Sequence, residues 1–536
     1  MMEKYYNLNF SDITTRRLDP WHYQPSFVNQ LNKIINQKSY YTLDEVIDAN
    51  RNIAGGATPL GSNYPETGTI KFYRSGEVKE TYLDYESAVF LSNEDNEKLK
   101  RSQLMVNDIV LSITGAKFGK SAVVQKYNCP GNISQHSVRF HMNTSRIDPS
   151  FLVAYLNSPT GQTVIWKEAY GGTRPAIDYP GIRSLIIPKY NLKTQKYIGD
   201  KVRQAEQLRV FAKILKMKYS LSLNNVFSQL TNNELLTSKK DNNHEIYKRV
   251  SAKELHPRID AWFYKPIFID SERVLKKLKE SGIPLISIKD MASVDYGFMP
   301  LENYWDSDKG SPFIRVTNIE NHLVISEKDI KYVNPELSNF DKYKLKEDDI
   351  LVVQLGNSTG RIGYLSERYK NWIYPSFSLR VRVNSSNFDP GYVALFLAEY
   401  LGQSQIQRSI SITSVRPNTT KPAIESLLIP EINLNIQKKI GKYVRNFVSA
   451  NENSNCLIQV AKSLVEGLIE GQITEQQLID AQTDLEAGDD SIDKSILFSI
   501  TDKGINAEGK PLFDDIDKLY ALIQESHESI EQKDDE

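Results

Sequence analysis

The sequence predicts an α+β fold of two mixed strand-and-helix domains, joined and separated by two long helices that pair as an antiparallel coiled coil. An internal pseudo-two-fold duplication relates the halves. Three observations predict it. Blocks in the first half recur in order in the second at a nearly constant spacing. In each half, strand-like runs bounded by Gly, Asn and Pro give way to an apolar stripe of helical period. A polar segment divides the two copies.

The repeat comes first because it organises everything else. "RLDPWHYQP" (Arg17 to Pro25) returns as "RIDAWFYKP" (Arg258 to Pro266), 241 residues later. "NDIVLSITGAKFGKSAVV" is matched by "DDILVVQLGNSTGRIGYL" at the same spacing, pairing Asp108 with Asp349, Gly115 with Gly356 and Gly119 with Gly360. Ser137 and Arg139 pair with Ser378 and Arg380, and "DPSFLVAYLNSPTGQTVI" with "DPGYVALFLAEYLGQSQI". One residue is then gained, so that "TRPAIDYPGIRSLIIP" and "TQKYIGDKV" meet "VRPNTTKPAIESLLIP" and "IQKKIGKYV" at a spacing of 242.

Residues 1–192 form the first strand-rich domain, in which "DIVLSI", "SAVVQ" and "HSVRFHM" read as strands and "SFLVAYLNSPTGQTVIWKEA" as a helix. Residues 193–230 form the first long helix, because Ile198, Val202, Ala205, Leu208, Ala212, Leu215 and Tyr219 recur at intervals of three and four. A polar linker, 231–250, leads to the second domain, 251–434. The second long helix, 435–471, carries Ile440, Val444 and Phe447, then Leu457, Ala461, Val465 and Leu468 after a polar break at "NENSN". Neither helix contains Pro, and two such helices in one chain suit an antiparallel coiled coil. Residues 472–536 form an acidic extension, expected to be solvated.

Composition bounds the function. A length of 536 residues with 40% hydrophobic and 25% charged content is that of an ordinary globular chain of several domains. No run of about 18 apolar residues is present, and "MMEKYYNLNF" lacks a signal-peptide layout, which predicts a cytoplasmic protein without membrane contact. Cys129 and Cys456 offer neither a disulfide framework nor a metal-ligand spacing. The formal net charge of −1 conceals an asymmetry. From Gly471 onward 18 acidic residues face 5 basic ones, whereas the preceding residues hold 61 basic and 49 acidic. A basic body with an acidic tail fits a nucleic-acid binder, and equally a globular protein with a solvated tail.

"SITGAKFGKSAVV" imitates a phosphate-binding loop without meeting its requirements. Three residues, not four, separate Gly115 from Gly119, and the sequence continues as β-branched, strand-like residues where a helix should start. Arg361 and Ile362 replace the lysine and hydroxyl in the second copy. The glycines are therefore expected in a turn between strands, where backbone approaches another molecule.

Taken together these blocks resemble the DNA-specificity subunit of type I restriction-modification systems. "GGATPLGSNYPETGTIKFYRSGEV" looks like the opening of a target-recognition domain in that family. "DIVLSITGAKFGKSAVV" with "NISQHSVRF" looks like its centre, and "GGTRPAI" with "LIIP" and "TQKYIG" like its exit into the helix. "DYGFMPLENYW", "SPFIRVTNI", "DDILVVQLGNSTG" and "LLIPEINLNIQKKIG" fill the same places in the second half, and "LVEGLIEGQITEQQLI" resembles the family's end of the distal helix. The resemblance covers about residues 12–480. It implies a non-catalytic subunit that recognises a bipartite site in double-stranded DNA. Two adenine methyltransferase subunits are the implied partners, with restriction (translocase) subunits where a system has them. S-adenosylmethionine, ATP and Mg would belong to those partners, and no cofactor or metal to this subunit.

Base reading needs polar side chains on loops carried by a rigid sheet. The first copy offers Asn63, Tyr64, Lys71, Tyr73, Arg74 and Ser75; the second offers Asn303, Tyr304, Arg315, Thr317 and Asn318. Arg74 and Arg315 are equivalent, so they are assigned to phosphate, which both copies must hold. The divergent stretches Ser62 to Tyr64 and Glu302 to Tyr304 are assigned to bases. Lys117, Lys120, Arg174, Arg361 and Arg416 suit backbone contacts; for each, a solvated surface charge is the alternative. "YPSFSLRVRV" departs from "NISQHSVRF", so Gln135 and His136 lose their counterparts, and His136 reads as a structural or loop histidine.

Enzymatic readings have less support. The Asn/Asp-Pro-Pro-aromatic motif of an adenine methyltransferase does not occur, and "EVK" (Glu77 to Lys79) is an isolated nuclease-like match that the second copy does not repeat. A P-loop-like nucleotide hydrolase and a stand-alone two-domain DNA-binding protein are the alternatives.

Overall fold

Short β-branched runs between turn residues fold as strands, as their pattern predicts. "DIVLSI" supplies Ile109–Ser112 and "SAVV" supplies Ser121–Val123, paired antiparallel as a hairpin. The computed structural model describes residues 17–37, 39–59, 61, 64–230, 251, 258–300, 302–305, 309–334, 340–410 and 416–534, so the 231–250 linker lies outside the described residues. Contacts divide the chain into two units, 1–208 with 453–524 and 209–452 with 525–536.

In the first unit the hairpin belongs to a four-stranded antiparallel sheet with the order Ala54–Gly55, Ser137–Phe140, Ile109–Ser112, Ser121–Val123. A second sheet orders Val89–Leu91, Ile70–Tyr73 and Gly131–Ile133, the last pair parallel. Tyr73, Val78, Leu104, Val110, Ala122 and Ile133 form a buried cluster. The stretch expected as one helix is two, Pro149–Asn157 and Pro159–Lys167. Pro159 cannot continue the first helix but starts the second, whose N-terminus Ser158 caps by accepting the Gly161 amide at 3.2 Å.

The second unit has the same strand order in its four-stranded sheet: Ala292–Tyr296, Ser378–Val383, Ile350–Val353, Ile362–Tyr364. Its core gathers Ile314, Leu345, Leu351, Val353, Tyr369 and Tyr374. A buried aspartate recurs with the sequence spacing. Asp108 accepts from Arg51 Nε at 2.7 Å and contacts His141 Nδ1 at 2.9 Å, while Asp349 accepts from Arg382 Nε at 2.6 Å. His141 and Arg382 are equivalent in the repeat.

One aspartate in each domain takes part in the joint to its long helix. Asp148 caps Pro149–Asn157 by accepting the Ser150 and Phe151 amides at 2.8 and 3.0 Å, and it accepts from Arg203 Nη1 at 2.9 Å. Its own amide donates to Gln195 Oε1 at 2.9 Å. Asp389 repeats the set with the Gly391 and Tyr392 amides at 2.9 and 3.2 Å, Arg445 Nη2 at 2.7 Å and Gln437 Oε1 at 3.1 Å. A side chain on Gly199 would lie 2.6 Å from Asp148 Oδ1, and one on Gly441 would overlap Asp389 outright. The glycine of "YIGDKV" and "KIGKYV" is thus explained by close approach.

The long helices run Leu192–Leu230 and Leu434–Glu470. Every residue of the two sequence-derived stripes is buried, and in the second unit the rings of Tyr219 and Phe447 meet edge to face at 5.5 Å. The expected break at "NENSN" does not form. Ala450 and Ser454 are buried there and continue the stripe, and a few tenths of a kcal/mol of unfavourable propensity per polar residue cannot outweigh that packing.

The acidic extension is not the solvated tail expected from its charge. It folds as Glu475–Ala487, Ser491–Ser499, a small hairpin and the start of Ile516–Asp534, burying Leu478, Ile496, Leu497, Ile505, Phe513 and Leu519. Asp493, 1% exposed, accepts from Lys201 Nζ at 2.6 Å and from the hydroxyls of Tyr197 and Tyr520. Burial opposes its ionisation, but Lys201 and the hydrogen bonds outweigh that and hold its pKa below the usual carboxylate value. Net charge described the solvent face of these helices and hid the apolar face.

Gly441→Ala should destabilise the protein by about 1–3 kcal/mol despite the better helix propensity of alanine, because the methyl group displaces Asp389 from its cap and from Arg445. Denaturant unfolding of the purified chain measures this; an unchanged or raised midpoint would contradict the close-approach argument.

Candidate nucleic-acid interface

The central strand of each four-stranded sheet runs out into a junction where three loops meet. In the first unit the Ile113 amide donates to the His136 carbonyl at 2.9 Å, and the Ile113 carbonyl accepts the Ile177 amide at 3.2 Å. In the second the Gln354 amide donates to the Phe377 carbonyl at 2.8 Å, and the Gln354 carbonyl accepts the Thr419 amide at 3.0 Å. The glycine turn, the turn before the neighbouring strand and a third loop (170–177, or 416–419) are thereby joined chiefly by backbone bonds, to which the Thr359 hydroxyl adds one in the second unit by donating to Pro417 O at 3.0 Å. Backbone bonds place no demand on side-chain identity, so the loop tips are free to differ.

Gly115 and Gly119 have φ of 87° and 80°, Gly356 and Gly360 of 99° and 91°, values that glycine adopts without strain. Their turns close on themselves. Gly119 donates to Ser112 O at 2.9 Å and Gly360 to Val353 O at 2.8 Å, while Gly115 and Gly356 donate to Pro175 O and Pro417 O at 3.4 and 3.0 Å. The strand Ser121–Val123 follows, not a helix whose amides could cradle phosphate, so the nucleotide-hydrolase reading has no site here. Gly119 and Gly360 also lie against the chain itself: Gln162 Nε2 donates to Gly119 O and Gln403 Nε2 to Gly360 O, both at 2.9 Å.

The structure brings together part of the residue set expected from sequence. Lys117, on the glycine turn, and Arg174, on the third loop, are exposed and lie on loops bridged at Thr114 and Ala176. Arg361 and Arg416 are exposed on the corresponding loops of the second unit, bridged at Leu355 and Asn418. Asn63 lies outside the described residues. Tyr64 stacks on Phe72 at 5.8 Å with its edge exposed, and Asn303 and Tyr304 are exposed.

Assignments need correction where the side chain is buried, as Tyr73 is in the core of the first unit. Lys71 is only 5% exposed: its ammonium donates to Ala88 O at 3.0 Å and sits over the Phe90 ring at 3.9 Å, so it is committed to the core. Asn318 is 2% exposed and holds a turn, accepting the Arg315 amide at 2.9 Å and donating to Ser326 O and Lys328 O at 2.9 and 2.8 Å. Alternation along a short strand does not tell which face carries the core, and polar type alone misassigned these residues. Arg74 and Arg315 are each paired already, with Glu77 at 3.0 Å and Asp329 at 2.7 Å.

Lys120 is held by Glu80, whose other oxygen accepts from Lys462 Nζ at 3.0 Å. Burial by itself would raise the Glu80 pKa, but Lys462 and Lys120 beside it push the carboxyl down to about 2.

Sequence reasoning set aside residues that the geometry puts at the junction. Gln135 and His136 sit on the turn joined to Ile113, and the Thr58 hydroxyl donates to Gln135 Oε1. Ser376 and Phe377 hold the same backbone places in the second unit. Divergence between copies, the signal used for Ser62 to Tyr64, would have found them.

Among the described residues no group of three or more His, Cys, Asp or Glu stands where it could hold a metal ion, and no helix is long and apolar enough to cross a membrane.

Comparison with known proteins agrees with the motifs. Residues 281–462 match the type I restriction modification DNA specificity domain. The EcoBI specificity subunit of a type I restriction enzyme from Escherichia coli is 24% identical over 190 residues, which are 35% of this chain and 38% of that protein's length. Among solved structures, the type I restriction-modification S subunit from M. genitalium aligns over 83% of this chain and 95% of its own with 14% identity and a TM-score of 0.39. The HsdS subunit from Thermoanaerobacter tengcongensis aligns over 81% and 97% with 14% identity and a TM-score of 0.26. The resemblance to type I specificity subunits read from the motifs is borne out by the domain match and the curated relative.

Glu80 also gives a pH signature. A carboxyl lowered in the folded state stabilises fully above its unfolded value and loses that contribution as pH falls through its folded one. Unfolding free energy should therefore drop between about pH 4.5 and 2, and Glu80→Gln should flatten that part of the curve. Urea titrations of both proteins across this range check it; parallel curves would show that the lysines do not hold the carboxylate.

Proposed function

We propose that this chain is the non-catalytic DNA-reading subunit of a type I restriction-modification complex, each unit reading one half of a bipartite site. The observation that carries the reading is the three-loop junction, built twice on the same backbone hydrogen bonds and tipped with different side chains. Two identical scaffolds with unlike tips are what two unlike half-sites require. The exposed cations Lys117, Arg174, Arg361 and Arg416 would contact phosphate, and the divergent tips would contact bases. The domain limits 1–192 and 251–434 describe the two readers, with 193–230 and 435–471 as the spacer.

The long helices act in this proposal as an antiparallel ruler. The first unit groups residues up to 208 of the first helix with residues from 453 of the second, and the second unit groups the complementary parts, as antiparallel pairing requires. Two methyltransferase subunits, and restriction subunits where present, would be directed to adenines in the site. They would bring S-adenosylmethionine, ATP and Mg. A stand-alone DNA-binding protein is separated from this reading by co-purification from the native cell.

DNA affinity should fall steeply with salt, since each phosphate contact releases counterions. Arg361→Ala should weaken binding to all sequences alike and reduce the salt slope by about 1. Binding titrations on specific and scrambled duplexes at several salt concentrations check this; an altered base preference would move Arg361 from the backbone to the bases.

Inserting four residues after Lys216, about one helical turn, lengthens the ruler by about 6 Å while nearly preserving the facing of its stripe. With about 3.4 Å per base pair, the gap between half-sites should grow by one or two pairs with the bases of each half unchanged. Methylation-site mapping reads the outcome, and an active variant with the original gap would show that the helices do not set the spacing.

A further inference from the structure

Phe377 stands out in its stretch of chain. Residues 372–375 and 378–381 are buried, yet this phenylalanine is 44% exposed. Its backbone is fixed on every side: its carbonyl accepts the Gln354 amide at 2.8 Å, Ser376 donates to Phe298 O at 2.8 Å, and Ser378 donates to Pro375 O at 2.9 Å. The side chain is thus presented outward by a turn that cannot easily turn it back.

Two more apolar side chains share its neighbourhood. Tyr296 and Met299 flank Phe298, which is bridged to Pro375, and both are exposed. Gly297 brings that loop against the turn, because any side chain there would collide with the backbone of Tyr374 and Pro375. Gly56 makes the same approach to Ile133 and Ser134 in the first unit, so the backbone arrangement is common to both. The tips are not. Where the second unit has Tyr296, Met299, Ser376 and Phe377, the first has Gly55, Thr58, Gln135 and His136. One tip is apolar and the other is polar, with the Thr58 hydroxyl bonded to the Gln135 amide oxygen.

A single exposed phenylalanine needs no explanation. An apolar trio on rigid loops, with the exposed cations Arg361 and Arg416 on the loops beside it, does. The cations suit a polyanion, and an apolar tip aimed at DNA bases has one normal counterpart in the major groove, the 5-methyl group of thymine. We infer that Phe377 is a specificity-determining residue that reads a thymine methyl group in the half-site bound by the second unit, while the same position in the first unit reads hydrogen-bonding base edges through Gln135 and His136. This rests on the proposed DNA-reading function.

The test uses the full chain with its methyltransferase partners. Methylation-site mapping gives the target, and replacing residues 251–434 by a related domain identifies the block read by the second unit. Each thymine of that block is then changed to uracil in a synthetic duplex, which removes only the methyl group. At one position the affinity should fall about fourfold, the value of one buried methyl. Phe377→Ala should bind the thymine and uracil duplexes equally, and Phe377→Leu should keep part of the difference. Circular dichroism melting should be unchanged in both variants, since the side chain is half exposed. Overturning results are a block without thymine on either strand, or an unchanged thymine-to-uracil ratio in Phe377→Ala. If the wild-type complex fails to prefer its mapped duplex over a scrambled one, the DNA-reading function itself falls, and the two failures are distinguished.

Discussion

Two aspartates carry the architecture. Asp148 and Asp389 each cap a domain helix, receive a guanidinium from a long helix and hand their own amide to a glutamine on that helix. A carboxylate engaged by several charge-assisted donors tolerates little displacement. The glycine at 199 or 441 is what lets the long helix come close enough for the joint to form.

The loop junctions are held separately, by backbone bonds at the ends of the central strands. Ile113 and Gln354 extend central strands, and each holds one loop by its amide and another by its carbonyl. Because backbone bonds do most of the holding, most side chains at the tips are released from structural duty. That separation of labour explains how two units keep one scaffold and present Gln135 and His136 in one case, Ser376 and Phe377 in the other. Lys71 and Asn318, polar residues that look available in the sequence, are by contrast absorbed into holding strands and turns together, as are Arg139 and Arg380.

The acidic extension shows charge acting in two ways. Its carboxylates on the outside dominate the net balance, while Asp493 is buried against Lys201, Tyr197 and Tyr520. A buried pair of this type adds little net stability but is costly to break on one side, so it fixes where the extension docks. A segment whose composition suggests a free tail is, as far as residue 524, part of the first unit.

Periodicity and repetition were enough to determine the strands of the hairpins, the positions of the long helices and every residue of their buried stripes. These are local or long-range regularities of pattern, and hydrophobic burial follows pattern closely. The break within "SFLVAYLNSPTGQTVIWKEA" was also legible in principle, since Ser-Pro is a start signal. The continuity of the second helix through "NENSN" was not, because only packing against neighbouring residues outweighs the weak propensity of that segment. Nor could sequence alone tell which polar residues face out. Lys71 and Lys117 are the same residue type in similar surroundings of chain, yet one lies under aromatic rings and the other on an open turn. That choice depends on which side of a short strand meets the core and on which loops the junctions draw together, and both are set by contacts between residues far apart in the chain.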